Sequence, residues 1–380
     1  MSVSSVLETL ADLVRINSVN PAYEGGHPEQ EVARFLRGFF EGHGIECWEQ
    51  PVLPERPNLI ARVPGRNSGR RIVFEAHTDT VSAGGMDIEP FVPAIRDGRL
   101  YGRGSCDNKG GLAAMMHAIV AVASSAEPPP CEVWLAATVD EEHSFRGVSK
   151  LCEVLDAHAA VVAEPTSLRA VIASKGVLRW RIRTVGRAAH SSKPHLGVNA
   201  ITAMSHLVLA LEEENRRLSE FTHPLLGPAT NNVGIIRGGR QINFVPDECS
   251  IEIDRRLIPG EEIPNVLARY QEVVEEAAKR FPGFQAEMEP PMLEDYPLET
   301  PPGAGVVEAA QRVLDRLAID PEPVGVPYGS DASKFSRKGV PAIVLGPGSI
   351  DQAHAAVEFV DCGEVERAVE IYRGIMQSFE

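Results

Sequence analysis

Apolar runs of strand length, NLIARV, RIVFEAH, CEVWLAATVD and AAVVAEP, alternate with stretches of helical spacing such as PEQEVARFLRGFFEGHG and KGGLAAMMHAIVAVA. Apolar strands separated by helices predict an α/β layer with a mostly parallel sheet and helices on both faces. Three of these runs finish on or beside histidine or acid: His77, then Glu141 and Glu142, then Glu164. An open α/β sheet places its binding crevice at the carboxyl ends of its strands. The pattern therefore predicts where a site lies as well as what the layer is. The first helices are expected over SVLETLADLVRI and from Pro28, in a first turn, to Gly44 near a helix end.

After Ser174 the pattern changes. GVLRWRIRTVGR alternates apolar with polar or charged residues, as a half-exposed antiparallel strand does. A helix in GVNAITAMSHLVLALEEENRRL, strands in NNVGIIRGG and DECSIEIDRRL, a helix in IPNVLARYQEVVEEAAKRF and a strand in FQAEMEP complete a β-α-β-β-α-β order. The proline-rich EPPMLEDYPLETPPG reads as a return linker, after which α/β character resumes. A chain of 380 residues exceeds the usual size of a single core. The expected organisation is a discontinuous catalytic domain over 1–174 and 291–380, interrupted by an inserted α+β domain over 175–290.

Composition removes some function classes. The formal charge of −16 disfavours nucleic acid and anionic membranes, which need clustered Lys and Arg. No run is long and apolar enough to suggest a membrane span, and the N-terminal stretch lacks a signal-peptide pattern. Six scattered cysteines without CxxC spacing are expected to be reduced thiols, and a cytoplasmic location follows as the expectation.

Five residues form the candidate ligand set: His77, Asp107, Glu142, Glu164 and His354, each at a predicted strand end or turn. Imidazole and carboxylate suit two zinc-like ions that share one ligand, and Glu141 stands beside them unclaimed. Asp79 lies two residues beyond His77, placed to accept a hydrogen bond from the ring nitrogen facing away from a metal. Asp107 has a competing role as a helix cap ahead of NKGGLAAMM. The acids Asp140 to Glu142 would repel one another in a cleft unless something positive offset them. The glycines of YGRGS lack a dinucleotide-binding frame, and no environment that would activate Cys106 as a nucleophile is evident.

The strings HTDTV, GRGSCDNKGG, DEE, AEPT and QAH, in this order, resemble the zinc-dependent amidohydrolase and exopeptidase family. That family includes acetylornithine deacetylase, succinyl-diaminopimelate desuccinylase, aminoacylase and glutamate carboxypeptidase, and the resemblance spans essentially the whole chain. It implies a cofactor of two Zn2+ per subunit, with Co2+ as a substitute. By motif, Asp107 would bridge the ions, His77 and Glu164 would complete one, and Glu142 and His354 the other. Glu141 would be the general base and Asp79 the partner of His77. Asn108 stands where the family usually has a hydrophobic residue.

The resemblance also implies a homodimer formed through the inserted lid domain, with His190 reaching a partner's site. Asn243 and Arg256 match substrate-binding positions, with Arg255 as the alternative if the alignment shifts by one. Ser330, in YGSDASKF, is a further substrate-binding candidate, with helix capping as the other reading. LGPGSIDQAH is nearest to the acetylornithine deacetylase branch, which implies removal of a small acyl group from an N-acyl amino acid in arginine biosynthesis. Desuccinylation of N-succinyl-diaminopimelate and carboxypeptidase or dipeptidase activity are the alternatives within the family. A catalytically inactive metal- or amino-acid-binding protein is the alternative outside enzymes.

Overall fold

A computed structural model describes residues 4–280 and 285–380. The chain divides into two compact units: Met1–Ile172 with Glu299–Val324 and Ser330–Glu380, and Ala173–Leu298 with Gly325–Gly329.

In the first unit, Cys131–Thr138, Asn67–His77, Ala159–Val162 and Ala342–Val344 are neighbours in one sheet and run parallel. An antiparallel hairpin of Glu46–Leu53 and Arg56–Val63 extends the sheet beyond Cys131–Thr138. The register sets Phe74 beside Leu135 and Val161, and His77 beside Thr138. Alternate residues of Asn67–His77 serve different layers. Ile72, Phe74 and Ala76 join a core made by helices Ser5–Arg15, Lys109–Ala123, Gly305–Arg316 and Cys362–Ser378. Val73 is equally buried but lies outside that cluster, on the side where helix Arg146–Val154 and the short helix Ala332–Arg337 bury Val148, Leu151 and Phe335. Both faces of the sheet are thus covered, which is why its strands read as continuous apolar runs.

Helix Lys109–Ala123 is buried almost all round, including Leu112, Met115, Met116 and Ile119, as its composition requires. Even Lys109 is buried, donating Nζ to the carbonyls of Leu13 and Ile16 at 3.0 and 2.8 Å at the end of helix Ser5–Arg15. The second helix begins at Gln30 rather than at Pro28, because Glu29 occupies the cap position and turns its carboxylate to Arg56. Gly44, just beyond that helix, has a φ of 69°, which glycine adopts without a Cβ clash.

The second unit holds an antiparallel sheet in the order Thr230–Gly238, Glu248–Leu257, Gly176–Val185, Gln285–Met288. Helices Ala200–Leu218 and Ile263–Arg280 pack on it through Met204, Leu207, Leu211, Val273 and Val274. Trp180 and Tyr270 meet edge to face at 4.8 Å in that core. The alternate positions carry cross-strand ion pairs, Arg179 with Asp254 at 2.7 Å and Arg181 with Glu252 at 2.9 Å, which explains the apolar–charged alternation. The predicted ends at Phe281 and Phe284 lie outside the described residues.

The return to the first unit differs from the expectation at 291. Leu293–Asp295, inside the proline-rich stretch taken as a linker, pairs antiparallel with Arg179–Val177 and remains in the second unit, as does everything to Leu298. Prolines flank this short edge segment without interrupting it, as they do at sheet edges.

Candidate metal centre

Parallel strands deliver their carboxyl ends to one edge, and the first unit's acids and imidazoles gather there. His77 ends Asn67–His77, Glu141 and Glu142 follow Cys131–Thr138, and Glu164 follows Ala159–Val162. Asp107 comes from the loop before helix Lys109–Ala123, and His354 from the loop after Ala342–Val344. His77 Nε2 lies 3.0 Å from Asp107 Oδ1 and 3.8 Å from Glu164 Oε1. His354 Nε2 lies 3.3 Å from Asp107 Oδ2 and 3.2 Å from Glu142 Oε2. The five sequence-predicted ligand residues therefore form two triads, His77–Asp107–Glu164 and Asp107–Glu142–His354, with Asp107 common to both.

Whether these groups suit cations can be judged from their spacing. Ligands held about 2.0–2.2 Å from a tetrahedral ion lie about 3.3–3.6 Å apart, close to the separations within each triad. Glu142 Oε1 is buried and meets no hydrogen-bond partner, an acceptor that a cation would satisfy. Asp107 does not cap the helix: Asn108 is the cap residue, and no side chain donates or accepts there. The donor set fits divalent ions of the zinc type.

The local field points the same way. Hydrogen bonding to Asp107 and Glu142 pushes His354 up to about 10. Burial alone would lower His77, but Asp107, Glu141 and Glu164 outweigh it and hold the imidazole well above its ordinary value. Burial together with the nearby Asp107 charge raises Glu142 to about 7 and Glu164 well above the usual carboxylate range. Burial likewise raises Glu141, with His77 opposing and Asp331, Glu142 and Asp107 adding. Crowded carboxylates with this little compensating charge form a strong attractor for cations.

Asp79 acts differently from the expectation. His77 Nδ1 is 3.0 Å from the Asp79 backbone carbonyl but 3.7 Å from its carboxylate. The Asp79 carboxylate is committed elsewhere, accepting the N–H groups of Glu141 and Glu142 at 3.1 and 3.2 Å and an N–H of Asn20 at 2.7 Å. It thereby fixes the turn that carries Glu141 and Glu142. Asn20 also donates to Asp140 at 3.0 Å, and Arg56 joins Asp140 at 2.9 Å to Glu29 at 2.6 and 2.7 Å. The Tyr23 hydroxyl donates to the Glu142 carbonyl at 2.6 Å. Asn20, Tyr23, Glu29 and Arg56 were not legible as site residues; the only hint was an irregular stretch, NSVNPAYEGGH, between two helices.

Ser330 is buried in the first unit just before the six-residue helix Ala332–Arg337, where Asp331 takes the cap position without a side-chain cap bond. His190, Asn243, Arg255 and Arg256 belong to the second unit. His190 is exposed, pairs with Phe244, and sits 2.8 Å from Ser192 Oγ; the Ser191 N–H donates to the Asn243 carbonyl at 3.0 Å. Arg255 is buried and bound to Glu261 and to the Arg256 carbonyl. Arg256 is only partly buried and pairs with Asp254 at 2.7 Å.

Two overlapping triads at the carboxyl edge of a parallel sheet define a candidate dinuclear centre on an α/β fold. Residues 73–378 match the model of Peptidase family M20/M25/M40, and the chain belongs to that family of hydrolases. It is 31% identical over 398 residues to acetylornithine deacetylase of Yersinia pseudotuberculosis, covering 100% of this chain and 98% of the relative. Against acetylornithine deacetylase of Vibrio cholerae the identity is 30% over 387 residues, covering 100% and 98%. Among solved structures, the chain is similar to aminopeptidase PepT from Bacillus cereus, with a TM-score of 0.82, 25% identity and 98% of both chains covered. It shares its fold with a dinuclear metal-binding peptidase of the M20 family from Bacillus subtilis, at TM-score 0.75 and 17% identity over 98% and 96% of the two chains. Among the described residues, no helix is long and apolar enough to cross a membrane.

Proposed function

We propose that this protein hydrolyses the amide bond of an N-acyl amino acid, with N-acetylornithine as the leading substrate. The observation that carries the reading is the division of Asp107, whose two oxygens face different histidines, His77 and His354. His77, Asp107 and Glu164 would hold one Zn2+, and Asp107, Glu142 and His354 the other, with Co2+ as a substitute. When bound, such a pair supplies Lewis acidity toward an amide carbonyl and acidifies a water.

The chain's own groups do the rest. Glu141 is adjacent to the triads but belongs to neither, which leaves its carboxylate available for proton transfer. It takes a proton from the attacking water and returns it to the departing amine, the task of a general base that becomes a general acid. Asp79 holds the backbone of Glu141 in place. In the second unit, Arg256 offers a guanidinium of the geometry that grips a substrate carboxylate in two hydrogen bonds, while Arg255 is spent on Glu261. Asn243 and Ser330 are further substrate contacts in this reading, and His190 supports the developing oxyanion from a second copy of the chain. Association through the second unit is supported by the edge strand Thr230–Gly238, on which Ile235 and Ile236 are exposed.

The deacetylase reading rests on the full-length likeness to acetylornithine deacetylases. The likeness to an aminopeptidase favours peptide hydrolysis as the second reading. Turnover of acetylornithine, succinyl-diaminopimelate and a dipeptide, measured side by side with Zn2+ or Co2+ added, tests both. Release of acetate from acetylornithine above the other two supports the first. Preference for the dipeptide supports the second, and no amide cleavage by the metal-loaded protein removes both.

A further inference from the structure

We propose that Glu358 is a positioning residue for the paired-cation site, setting the direction of the shared ligand Asp107 and joining its loop to the segment that carries His354. The inference rests on the paired-cation reading above.

Glu358 is fully buried, and each of its carboxylate oxygens has a different task. Oε1 accepts the backbone N–H groups of Cys106 and Asp107 at 3.0 and 3.1 Å. Oε2 accepts from Arg103 Nη1 at 2.6 Å, and Arg103 Nη2 in turn donates to the Ser82 carbonyl at 2.9 Å. The Glu358 carbonyl receives the Gly102 N–H at 3.1 Å, and the following Phe359–Asp361 pairs antiparallel with Arg99–Tyr101.

A buried ion pair with Arg103 would need only Oε2. The second oxygen is spent on two consecutive peptide N–H groups, and this orients the peptide planes on either side of Cys106. Those planes fix the direction in which the Asp107 side chain leaves the backbone. His354 lies four residues before Glu358, so one carboxylate ties together the two chain segments that meet at 3.3 Å between His354 Nε2 and Asp107 Oδ2. Placing an acid this close to other acids is costly. A glutamine would set its NH2 group against either Arg103 or the two N–H groups, all of which only donate, so both sets of bonds need a carboxylate.

The test uses the full chain stripped of metal. Cobalt is titrated by calorimetry, its visible absorption is recorded, and the thermal midpoint of the metal-free protein is measured. The variants are Glu358→Gln and, as a stability control, Asp361→Ala, which removes the cap of the adjacent helix by deleting the acceptor for the Glu364 N–H. Glu358→Gln is expected to weaken cobalt binding about 10–100-fold, the range typical of residues that orient metal ligands, and to change the cobalt spectrum. Asp361→Ala is expected to lower the midpoint while affinity and spectrum stay as in the parent. If Glu358→Gln does not fold, Glu358→Asp carries the same test, because shortening the side chain withdraws it from the loop. A Glu358 variant that binds cobalt with the affinity and spectrum of the parent, whatever its thermal midpoint, would overturn the proposal. Failure of the parent itself to bind two cobalt ions would instead overturn the paired-cation reading.

Discussion

Asn20 donates an N–H to Asp79 Oδ2 at 2.7 Å, and the carboxylate it holds accepts the backbone N–H groups of Glu141 and Glu142. A loop between the first two helices thus governs the turn that presents the proposed general base. The same amide reaches Asp140 Oδ1 at 3.0 Å and keeps two buried carboxylates bridged. Asn20→Ala leaves both acids short of a donor and is expected to cost about 1–3 kcal/mol of stability. Asn20→Asp puts a third carboxylate among them and is expected to cost more. Urea denaturation of the two variants gives the order.

Glu141→Gln removes the proton acceptor while keeping the size of the side chain. Turnover is expected to fall roughly 10²–10⁴-fold, with metal content and KM little changed, because Glu141 belongs to neither ligand triad. Single-turnover kinetics together with metal analysis check this. Near-parental turnover would remove Glu141 from the mechanism.

Cations that bind only the folded chain stabilise it by mass action. Zinc at a hundredfold excess over its dissociation constant is expected to add about 2.7 kcal/mol, read as a higher thermal midpoint that a chelator reverses. His354→Ala removes one ligand of the Asp107–Glu142–His354 triad and is expected to reduce this gain. A midpoint indifferent to both zinc and chelator would contradict the site.

The neighbouring arginines of strand Glu248–Leu257 should separate stability from binding. Arg255 is buried against Glu261, so Arg255→Met takes the cation from a partly exposed acid that keeps only the Ile258 N–H, and is expected to cost about 1–3 kcal/mol. Arg256 is more exposed and already shared with Asp254. Arg256→Ala is expected to raise KM with little loss of stability. Denaturation curves beside steady-state kinetics distinguish the two, and a stability loss confined to Arg256 would reverse their roles.

Glu132 supplies a pH dependence remote from the metal centre. Burial opposes its ionisation, but hydrogen bonds from Arg71 and Arg62, each at 2.6 Å, prevail and hold it below its ordinary value of 4.5. A carboxylate depressed in the folded state contributes stability that is complete above the unfolded value and lost as pH falls through the folded one. Glu132→Gln should therefore be less stable than the parent near neutrality, with the gap closing below about pH 4.5. Urea midpoints across that range decide it, and a gap that stays constant in acid would sink the argument.

How far the sequence reaches depends on the range of the interaction that fixes each feature. The α/β layer was legible because strands buried on both faces must be apolar along their length, as Val73 and Phe74 show in serving different layers. His77, Glu141, Glu142 and Glu164 followed from that, since parallel strands bring their carboxyl ends to a common edge. Local spacing could not settle whether Asp107 caps a helix, and it assigned the His77 contact to the Asp79 carboxylate when the backbone carbonyl makes it. It also read Leu293–Asp295 as linker, because prolines flank a segment whose partner strand lies more than a hundred residues earlier. Adjacent residues of a strand face opposite sides, so only the register could tell the buried Arg255 from the accessible Arg256. Asn20, Arg103 and Glu358 carry no periodicity at all. Their partners are set by how loops close over one another, and that is decided only when distant segments pack in three dimensions.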